Sequence, residues 1–220
     1  MNQLEEQGFE ILHHALPEPL ILQLQEEADK MAQKTGTTCV RHIREHSAIF
    51  DTLSRSQPLL SLLPKHYQCV RSILFDKTER NNWPVAWHQD LTISVKQKID
   101  RDGYQLWSFK DGSPHVQPPV SLLANMITLR LHLDPTPASN GALKVIPRSH
   151  LHGKIPPESI KNFITDPPVT CECDTGDILM MKPLLLHASN KSTQPNRRRI
   201  IHLEFAKASD LDTCLEWYEK

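Results

Sequence analysis

The chain has little glycine and no long apolar run. Only 7 of its 220 residues are glycine, against 17 prolines, which predicts many short, interrupted elements. No apolar segment approaches the ~18 residues needed to cross a bilayer. The first six residues, Met-Asn-Gln-Leu-Glu-Glu, show neither the basic nor the apolar region of a secretory signal. These absences favour a globular, cytoplasmic protein with no membrane partner.

An excess of charge and a disulfide pattern are also missing. Lys and Arg number 25 and Asp and Glu 26, for a net charge of -1, which argues against a broad phosphate-binding surface and so against nucleic acid as a partner. The 5 cysteines form no CxxC pair and are odd in number. We therefore expect free thiols in a reducing compartment.

Length and pattern predict one domain with a helical N-terminal part. At 220 residues there is room for one full core. Within residues 1–66, apolar residues recur at helical spacing from Glu18 to Lys34, and a shorter helix is expected from Ser47 to Arg55. From residue 67 to 206 the pattern changes to short β-like runs, followed by a tail at 207–220. Residues 96–119 are broken by Asp, Gly and Pro yet contain Tyr104 and Trp107, which predicts a lid-like insertion.

One predicted strand carries polar residues on a single face. From Ile127 to Leu133 the apolar residues alternate with Thr128, Arg130 and His132. Two interpretations fit this pattern. The polar face could meet solvent in an ordinary antiparallel sandwich, or it could line a polar pocket inside a barrel whose outer face the N-terminal helices cover.

A His-x-acid triplet places two metal-binding groups on one side of an extended chain. The sequence has three such triplets, where roughly 1.4 are expected by chance at this composition. His88-Gln-Asp90 stands out because an apolar segment leading to His187 follows far downstream. If Asn190 to Asn196 forms a hairpin loop, His187 lies opposite Arg198 on a neighbouring strand, ~4.8 Å away.

Two His and one carboxylate are the ligand set of non-haem Fe(II) oxygenases, since three protein ligands leave positions open for a cosubstrate and dioxygen. A dianionic 2-oxoacid would neutralise the remaining charge of such a site, and its far carboxylate needs a cation. Arg198 could supply that cation with its bidentate fork.

The ordered motifs resemble the phytanoyl-CoA dioxygenase family over roughly residues 8–206. They are His88-Gln-Asp90, Leu131-His132-Leu133-Asp134, the stretch from Asn140 to His150, Gly176-Asp177, His187-Ala188-Ser189 and Arg198. The resemblance implies a mainly β fold with flanking helices: a double-stranded β-helix, or jelly-roll barrel, with the N-terminal helices packed outside. It also implies Fe(II), 2-oxoglutarate and dioxygen, with decarboxylation of 2-oxoglutarate to succinate and CO2 and hydroxylation of a small molecule.

Carried over by position, the resemblance assigns roles to individual residues. It implies His88, Asp90 and His187 as iron ligands and Arg198 as the partner of the distal carboxylate of 2-oxoglutarate, with Arg197 and Arg199 as rivals. The resemblance also places Ser189, Arg130 and Ile73 at the cosubstrate. Trp107 and Tyr104, from the lid-like insertion, and His132, from the polar face of its strand, are expected at the substrate. Two departures from the family pattern are Arg148, where Gly is preferred, and Pro135, where a second Asp is common.

Other interpretations remain open at this point. The same fold could hold a metal or ligand without turnover, or a divalent metal could support hydrolysis. Arg41 and Lys77 are further cationic candidates. The sequence identifies neither the substrate nor the oligomeric state, for which a monomer or a weak dimer would fit.

Overall fold

A computed structural model of the chain describes residues 3–79, 81–164, 167–194 and 196–219. Most of its helix lies in the N-terminal part. The helices are α1 (Gln3–Gln7), α2 (Glu18–Thr35), α3 (Ile43–His46), α4 (Ala48–Ser54), α5 (Gln57–Leu60), α6 (Val120–Asn125) and α7 (Ile160–Phe163). Short 3-10 helices span Ala138–Asn140, Ser149–His152, Pro157–Ser159 and Ala208–Asp210.

The longest helix, α2, confirms the helix predicted from Glu18 to Lys34. It begins after Pro17, with Pro19 in the first turn where its missing N–H costs nothing. It ends at Gly36, which adopts φ 64 and donates its amide to the carbonyl of Ala32. Leu24, Ala28 and Met31 are buried along one face of the helix. No helix in the described residues is both long and apolar enough to span a membrane.

The described residues contain thirteen strands, numbered in chain order and interspersed with the helices. They are β1 (Phe9–Leu12), β2 (Cys39–Arg41), β3 (Tyr67–Lys77), β4 (Val85–His88), β5 (Ile93–Ser94), β6 (Gln105–Lys110), β7 (Ser113–Gln117), β8 (Ile127–His132), β9 (Leu143–Val145), β10 (Val169–Cys171), β11 (Ile178–Met181), β12 (His187–Ser189) and β13 (Arg198–Lys207). They form a six-stranded sheet in the order β1-β11-β8-β13-β3-β2, a four-stranded sheet in the order β10-β9-β12-β4, and a three-stranded sheet in the order β5-β7-β6. All their pairings are antiparallel. The larger two sheets form the predicted jelly roll.

The six-stranded sheet has an apolar outer face and a polar inner face. Leu129 and Leu131 of β8 are fully buried and belong to the same apolar cluster as Leu24 and Ala28 of α2. Thr128 and His132, on the opposite face of the strand, are buried as well. The helices therefore cover the outer face, and the barrel interpretation of this strand is confirmed over the solvated sandwich.

The predicted hairpin between His187 and Arg198 is wrong. Strand β12 pairs with β4 and β9 in the four-stranded sheet, whereas β13 pairs with β3 and β8 in the six-stranded sheet. The two strands thus lie in different sheets, and between them the amide of Thr193 donates to the carbonyl of Ser139 at 2.8 Å. A jelly roll connects successive strands across its two sheets, so the assumption of a local turn failed.

Segments outside the predicted jelly-roll core also join the sheets. Strands β1 and β2, from the N-terminal part, form the two edges of the six-stranded sheet. Within residues 96–119, β6 and β7 form a hairpin that pairs through β7 with β5. The tail contributes an antiparallel bridge from Trp217 to Val95. The tail thus lies beside the small sheet that the hairpin forms with β5.

Candidate metal centre

Three side chains converge between the two main sheets. His88 is the last residue of β4, Asp90 follows it by two positions, and His187 is the first residue of β12. Because β4 and β12 are paired, His187 lies directly opposite His88. One ligand atom from each of the three residues can be chosen such that all lie within 4.8 Å of one another.

Hydrogen bonds determine which ring nitrogens face the centre. His88 Nδ1 lies 2.8 Å from the carbonyl of Ala86, and His187 Nδ1 lies 2.8 Å from the carbonyl of Leu185. A carbonyl can only accept, so both Nδ1 atoms carry the proton and both Nε2 atoms present a lone pair. His88 Nε2 and His187 Nε2 lie 3.8 and 3.7 Å from the two carboxylate oxygens of Asp90.

These donors fit a divalent transition metal. Two imidazole nitrogens and one carboxylate oxygen on one face form the facial set that suits Fe(II), and the backbone acceptors on Nδ1 are the support that metal-ligating histidines usually have. The protonation states also fit. Burial raises the pKa of Asp90, but His187, His202, His88 and Arg71 outweigh it and hold that pKa at about 2. Burial lowers the pKa of His187 to about 4, so near neutral pH it is an unprotonated ligand facing a carboxylate.

The residue between His88 and Asp90 holds the loop in place. Gln89 is buried and donates from Nε2 to the carbonyls of Leu184 at 2.6 Å and Gly153 at 2.8 Å, and its Oε1 accepts from the amide of Ile155. The amide of Asp90 donates to the carbonyl of Pro183 at 2.9 Å. The segment that carries two candidate ligands is therefore fixed to the chain just before His187.

The candidate centre opens into a cavity of about 240 Å³ between the sheets. That volume lies just below the roughly 300–1,000 Å³ typical of small-molecule sites. The described residues that line it are Arg41, Arg71, Ile73, Phe75, Lys77, Trp83, Val85, His88, Asp90, Arg130, Leu143, His187, Ser189, Arg198, His202 and Glu204. Arg198, Ser189, Arg130 and Ile73, expected at a cosubstrate, thus lie in the same cavity as His88, Asp90 and His187.

Arg198 enters the cavity because a glycine allows it to approach. Its Nη1 donates to the carbonyls of Asn140 and Gly141. Gly141 adopts φ 69, and a Cβ on it would lie 2.6 Å from the carbonyl oxygen of Asn190 and 3.1 Å from Arg198 Nη1. Burial, and then the charge of Arg130, lowers the pKa of Arg198 to about 10. A buried guanidinium whose described partners are only carbonyls suits an anion.

The neighbouring arginines have acidic partners elsewhere. Arg197 forms a two-point contact with Asp76, from Nε at 2.8 Å and Nη2 at 2.6 Å. Arg199 forms a similar contact with Asp134, and both arginines reach Asp29 of α2. Of the three consecutive arginines, Arg198 is the one that faces the cavity.

Three residues expected at the substrate are not among the described residues that line the cavity. Tyr104 is buried in an apolar cluster and accepts a hydrogen bond from the amide of Asp212. Trp107, on β6, packs against that same cluster. His132 lies on the inner face, but its Nδ1 bonds to Thr136 Oγ1 at 3.0 Å. Alternation identifies the face of a strand and not the position of the pocket along it, so His132 shares the inner face without reaching the cavity lining; a substrate role for the three residues stays a prediction.

Several residues that line the cavity were not placed at the site from the sequence. Arg71, Phe75 and Lys77 share with Ile73 the inner face of β3, so strand alternation from Ile73 could have found them. Of these, only Lys77 was a candidate, and burial, then Arg198 and Arg130, lowers its pKa to about 7. Trp83 and Val85 lie just before His88 in a Pro-containing segment without periodicity, and no sequence signal marks them.

Fold and site together define a class: jelly-roll proteins with a candidate two-His, one-carboxylate metal centre between their sheets. The chain belongs to the phytanoyl-CoA dioxygenase (PhyH) family, whose family model matches residues 5–200. No curated protein matches the sequence significantly.

Solved structures share the fold at low sequence identity. The epimerase SnoN, in complex with Fe3+, alpha ketoglutarate and nogalamycin RO, is 14% identical with a TM-score of 0.71, over 94% of this chain and 81% of its own. The non-heme alpha ketoglutarate dependent carbocyclase SnoK is 15% identical with a TM-score of 0.71, over 94% and 82%. HygX from Streptomyces hygroscopicus, with nickel and 2-oxoglutarate bound, is 11% identical with a TM-score of 0.68, over 93% and 84%.

Proposed function

We propose that the protein is an Fe(II)- and 2-oxoglutarate-dependent dioxygenase that hydroxylates a small molecule. The observation that carries the proposal is the convergence of His88 Nε2, His187 Nε2 and the Asp90 carboxylate in a cavity that also contains Arg198. Family membership and the cofactors of similarly folded enzymes support it.

Each residue has a distinct part in this function. His88, Asp90 and His187 hold the metal, and the carbonyls of Ala86 and Leu185 keep both rings oriented by accepting from Nδ1. Arg198 pairs with the distal carboxylate of 2-oxoglutarate, next to Ser189 and Arg130 on the cavity wall. With iron, 2-oxoglutarate and dioxygen bound, the centre supplies oxidative decarboxylation of the cosubstrate and oxidation of a substrate C–H bond. The apolar side chains of Ile73 and Leu143 restrict water beside the cosubstrate.

Asp90 bears on the type of reaction. A carboxylate in this position fills a coordination site that a small residue would leave to an external anion such as chloride, so its presence favours hydroxylation over halogenation. SnoN and SnoK are described as an epimerase and a carbocyclase, so an outcome without oxygen insertion is the second candidate. Mass change separates the outcomes: 16 units are gained on hydroxylation, none on epimerisation, and two are lost on ring closure.

Anaerobic titration with Fe(II) and 2-oxoglutarate tests the proposal. We expect a weak visible charge-transfer band that is lost in His88→Ala and weakened in Arg198→Ala, followed by succinate formation when oxygen is admitted. A wild-type protein that gives neither band nor succinate would refute the dioxygenase function. Ligand binding without succinate would then indicate a binding protein, and zinc-supported cleavage a hydrolase.

A further inference from the structure

The cavity is strongly basic although the chain as a whole is nearly neutral. The described lining residues include five bases, Arg41, Arg71, Lys77, Arg130 and Arg198, and two acids, Asp90 and Glu204. Over its 220 residues the chain has a net charge of -1. A divalent metal and a dianionic cosubstrate would cancel each other, so binding both would leave this local excess of positive charge in place.

The basic residues are distributed over two ends of the cavity. Arg198 is paired with Lys77 in the β13–β3 ladder, which places both at one end of β3. Arg71 lies six positions earlier on the same strand, or roughly 20 Å along it at about 3.3 Å per residue. A five-carbon dicarboxylate held by Arg198 is too short to reach that far. The Arg71 end therefore remains available to a second ligand.

Arg41 and Arg71 form a pair on one face. Arg41 of β2 lies opposite Ile73 of β3, and Arg71 is two positions from Ile73. Such diagonal neighbours have Cα atoms about 7–8 Å apart, within reach of two long side chains. In the described part of the chain, the Nε atoms of both arginines are buried and have no hydrogen-bond partner. Leaving buried N–H groups unpaired is costly, so the pair indicates an absent acceptor.

The existing partners of this pair do not use all its donors. Arg71 Nη1 donates to Glu204 at 3.1 Å and to the carbonyl of Thr92. Arg41 Nη1 pairs with Asp111 at the tip of the β6–β7 hairpin, whose side chain is 55% exposed. If Asp111 moves away from Arg41, water can solvate its exposed carboxylate. A ligand anion can then take the place of Asp111 at Arg41.

We infer that the substrate carries a compact anionic group, a carboxylate or a phosphate, that Arg41 and Arg71 bind at the end of the cavity remote from Arg198. Calling this ligand the substrate rests on the proposed function. The claim that the site binds an anion rests on Arg41 and Arg71 alone. Phe75, four positions from Arg71 on the inner face of β3, lines the cavity wall and favours an apolar or aromatic body attached to that group. A neutral amide offers one acceptor oxygen and no negative charge, so it cannot pair with both arginines as a carboxylate does and should bind much more weakly.

Ligand-observed NMR titration of the full chain, loaded with redox-inactive Ni(II) and saturated with 2-oxoglutarate, tests the anion site. The probes are inorganic phosphate and benzoate, with benzamide as the neutral match of benzoate. We expect at least one anion to bind, benzamide to bind much more weakly than benzoate, and Arg41→Gln to weaken anion binding by at least about tenfold. Asp111→Asn removes the competing carboxylate and should tighten binding severalfold. Arg101→Gln, which removes an exposed arginine paired with Asp212, is the charge-matched control and should leave binding unchanged.

The outcomes separate this inference from the proposed function. Equal binding of benzamide and benzoate, or the same anion affinity in Arg41→Gln as in wild type, would overturn the inference. Anion binding that competes with 2-oxoglutarate and depends on Arg198 would do the same, because it would locate the anion at the cosubstrate end. If the protein forms no succinate yet binds an anion through Arg41, the dioxygenase proposal fails and the anion site stands.

Discussion

His88 and His187 lie directly opposite each other in the β4–β12 ladder, and their ring centroids are 4.2 Å apart. His187 is buried and His88 is half-buried, and the Nε2 atoms of both face the Asp90 carboxylate, so one metal ion could contact all three side chains. The pairing of two short strands thus assembles most of the candidate metal centre.

Replacing His187 with Ala should remove tight metal binding. We expect the affinity for Ni(II) or Fe(II) to fall by more than about 100-fold, since losing even a group that merely orients a ligand costs 10–100-fold. Isothermal calorimetry under anaerobic conditions measures the effect. His46→Ala, which changes an exposed residue at the end of α3, is the control. Equal metal affinity in wild type and His187→Ala would show that the metal binds elsewhere.

Arg198→Lys should weaken 2-oxoglutarate binding although it keeps the charge. Lysine cannot present two parallel donors to a carboxylate, and it loses the contacts to the carbonyls of Asn140 and Gly141. We expect the KM for 2-oxoglutarate to rise by about 10–100-fold, and further in Arg198→Ala. Steady-state succinate assays measure KM, with Arg101→Lys as control. An unchanged KM would assign the distal carboxylate to another cation.

Arg197 should matter for stability and not for cosubstrate binding. Asp76 is buried and accepts two hydrogen bonds from Arg197. Arg197→Ala therefore leaves a buried negative charge without these two hydrogen bonds and without the positive charge beside it. The Arg197 side chain is 35% exposed, so we discount the full penalty of a broken buried pair to about 1–3 kcal/mol. Urea unfolding measures it, and Asp76→Asn should offset much of the loss. A rise in KM for 2-oxoglutarate with unchanged stability would contradict this role.

The sequence predicted the long elements well because they carry a clear period. Helix α2 and strand β13, expected at Glu18 to Lys34 and Arg198 to Ala206, extend one residue further in the structure. The short strands β4 and β12 were harder, since three or four residues show no reliable alternation. Their pairing is set by the crossing of the chain between two sheets, which no local pattern reveals. For this reason the order of motifs indicated the metal ligands, whereas the predicted hairpin to Arg198 was wrong.

Arg148 shows how a departure from the family pattern becomes a local strain. It adopts φ 67, the left-handed region in which a side chain costs about 1–2 kcal/mol. Its amide donates to the carbonyl of Gln7, which holds the turn in place. Arg148→Gly should therefore stabilise the protein by up to about 1 kcal/mol, after the entropy that glycine loses on folding. Arg148→Ala keeps the Cβ and should gain nothing; equal gains in urea unfolding would attribute the effect to the side chain.

Burial of His132 should make the protein less stable in mild acid. Burial, then Arg130 and Arg198, lowers the pKa of His132 from 6.5 to about 3. Between these two pH values the unfolded chain binds a proton that the folded chain does not, so the free energy of unfolding falls as pH decreases below 6.5. One such group contributes a slope of at most about 1.4 kcal/mol per pH unit.

His132→Asn isolates that contribution. Its amide can still bond to Thr136, the partner of His132 Nδ1, but it does not titrate. We expect urea unfolding between pH 7 and pH 4 to show a shallower loss of stability in this variant than in wild type, with the two curves converging as the pH falls. His115 has a similarly lowered pKa of about 3, so part of the slope should persist in the variant. His46→Asn, at an exposed position, should follow the wild-type curve. If stability falls with pH equally in His132→Asn and wild type, His132 binds its proton equally well in the folded and unfolded chain. Its pKa would then not be lowered by burial, which would contradict the prediction.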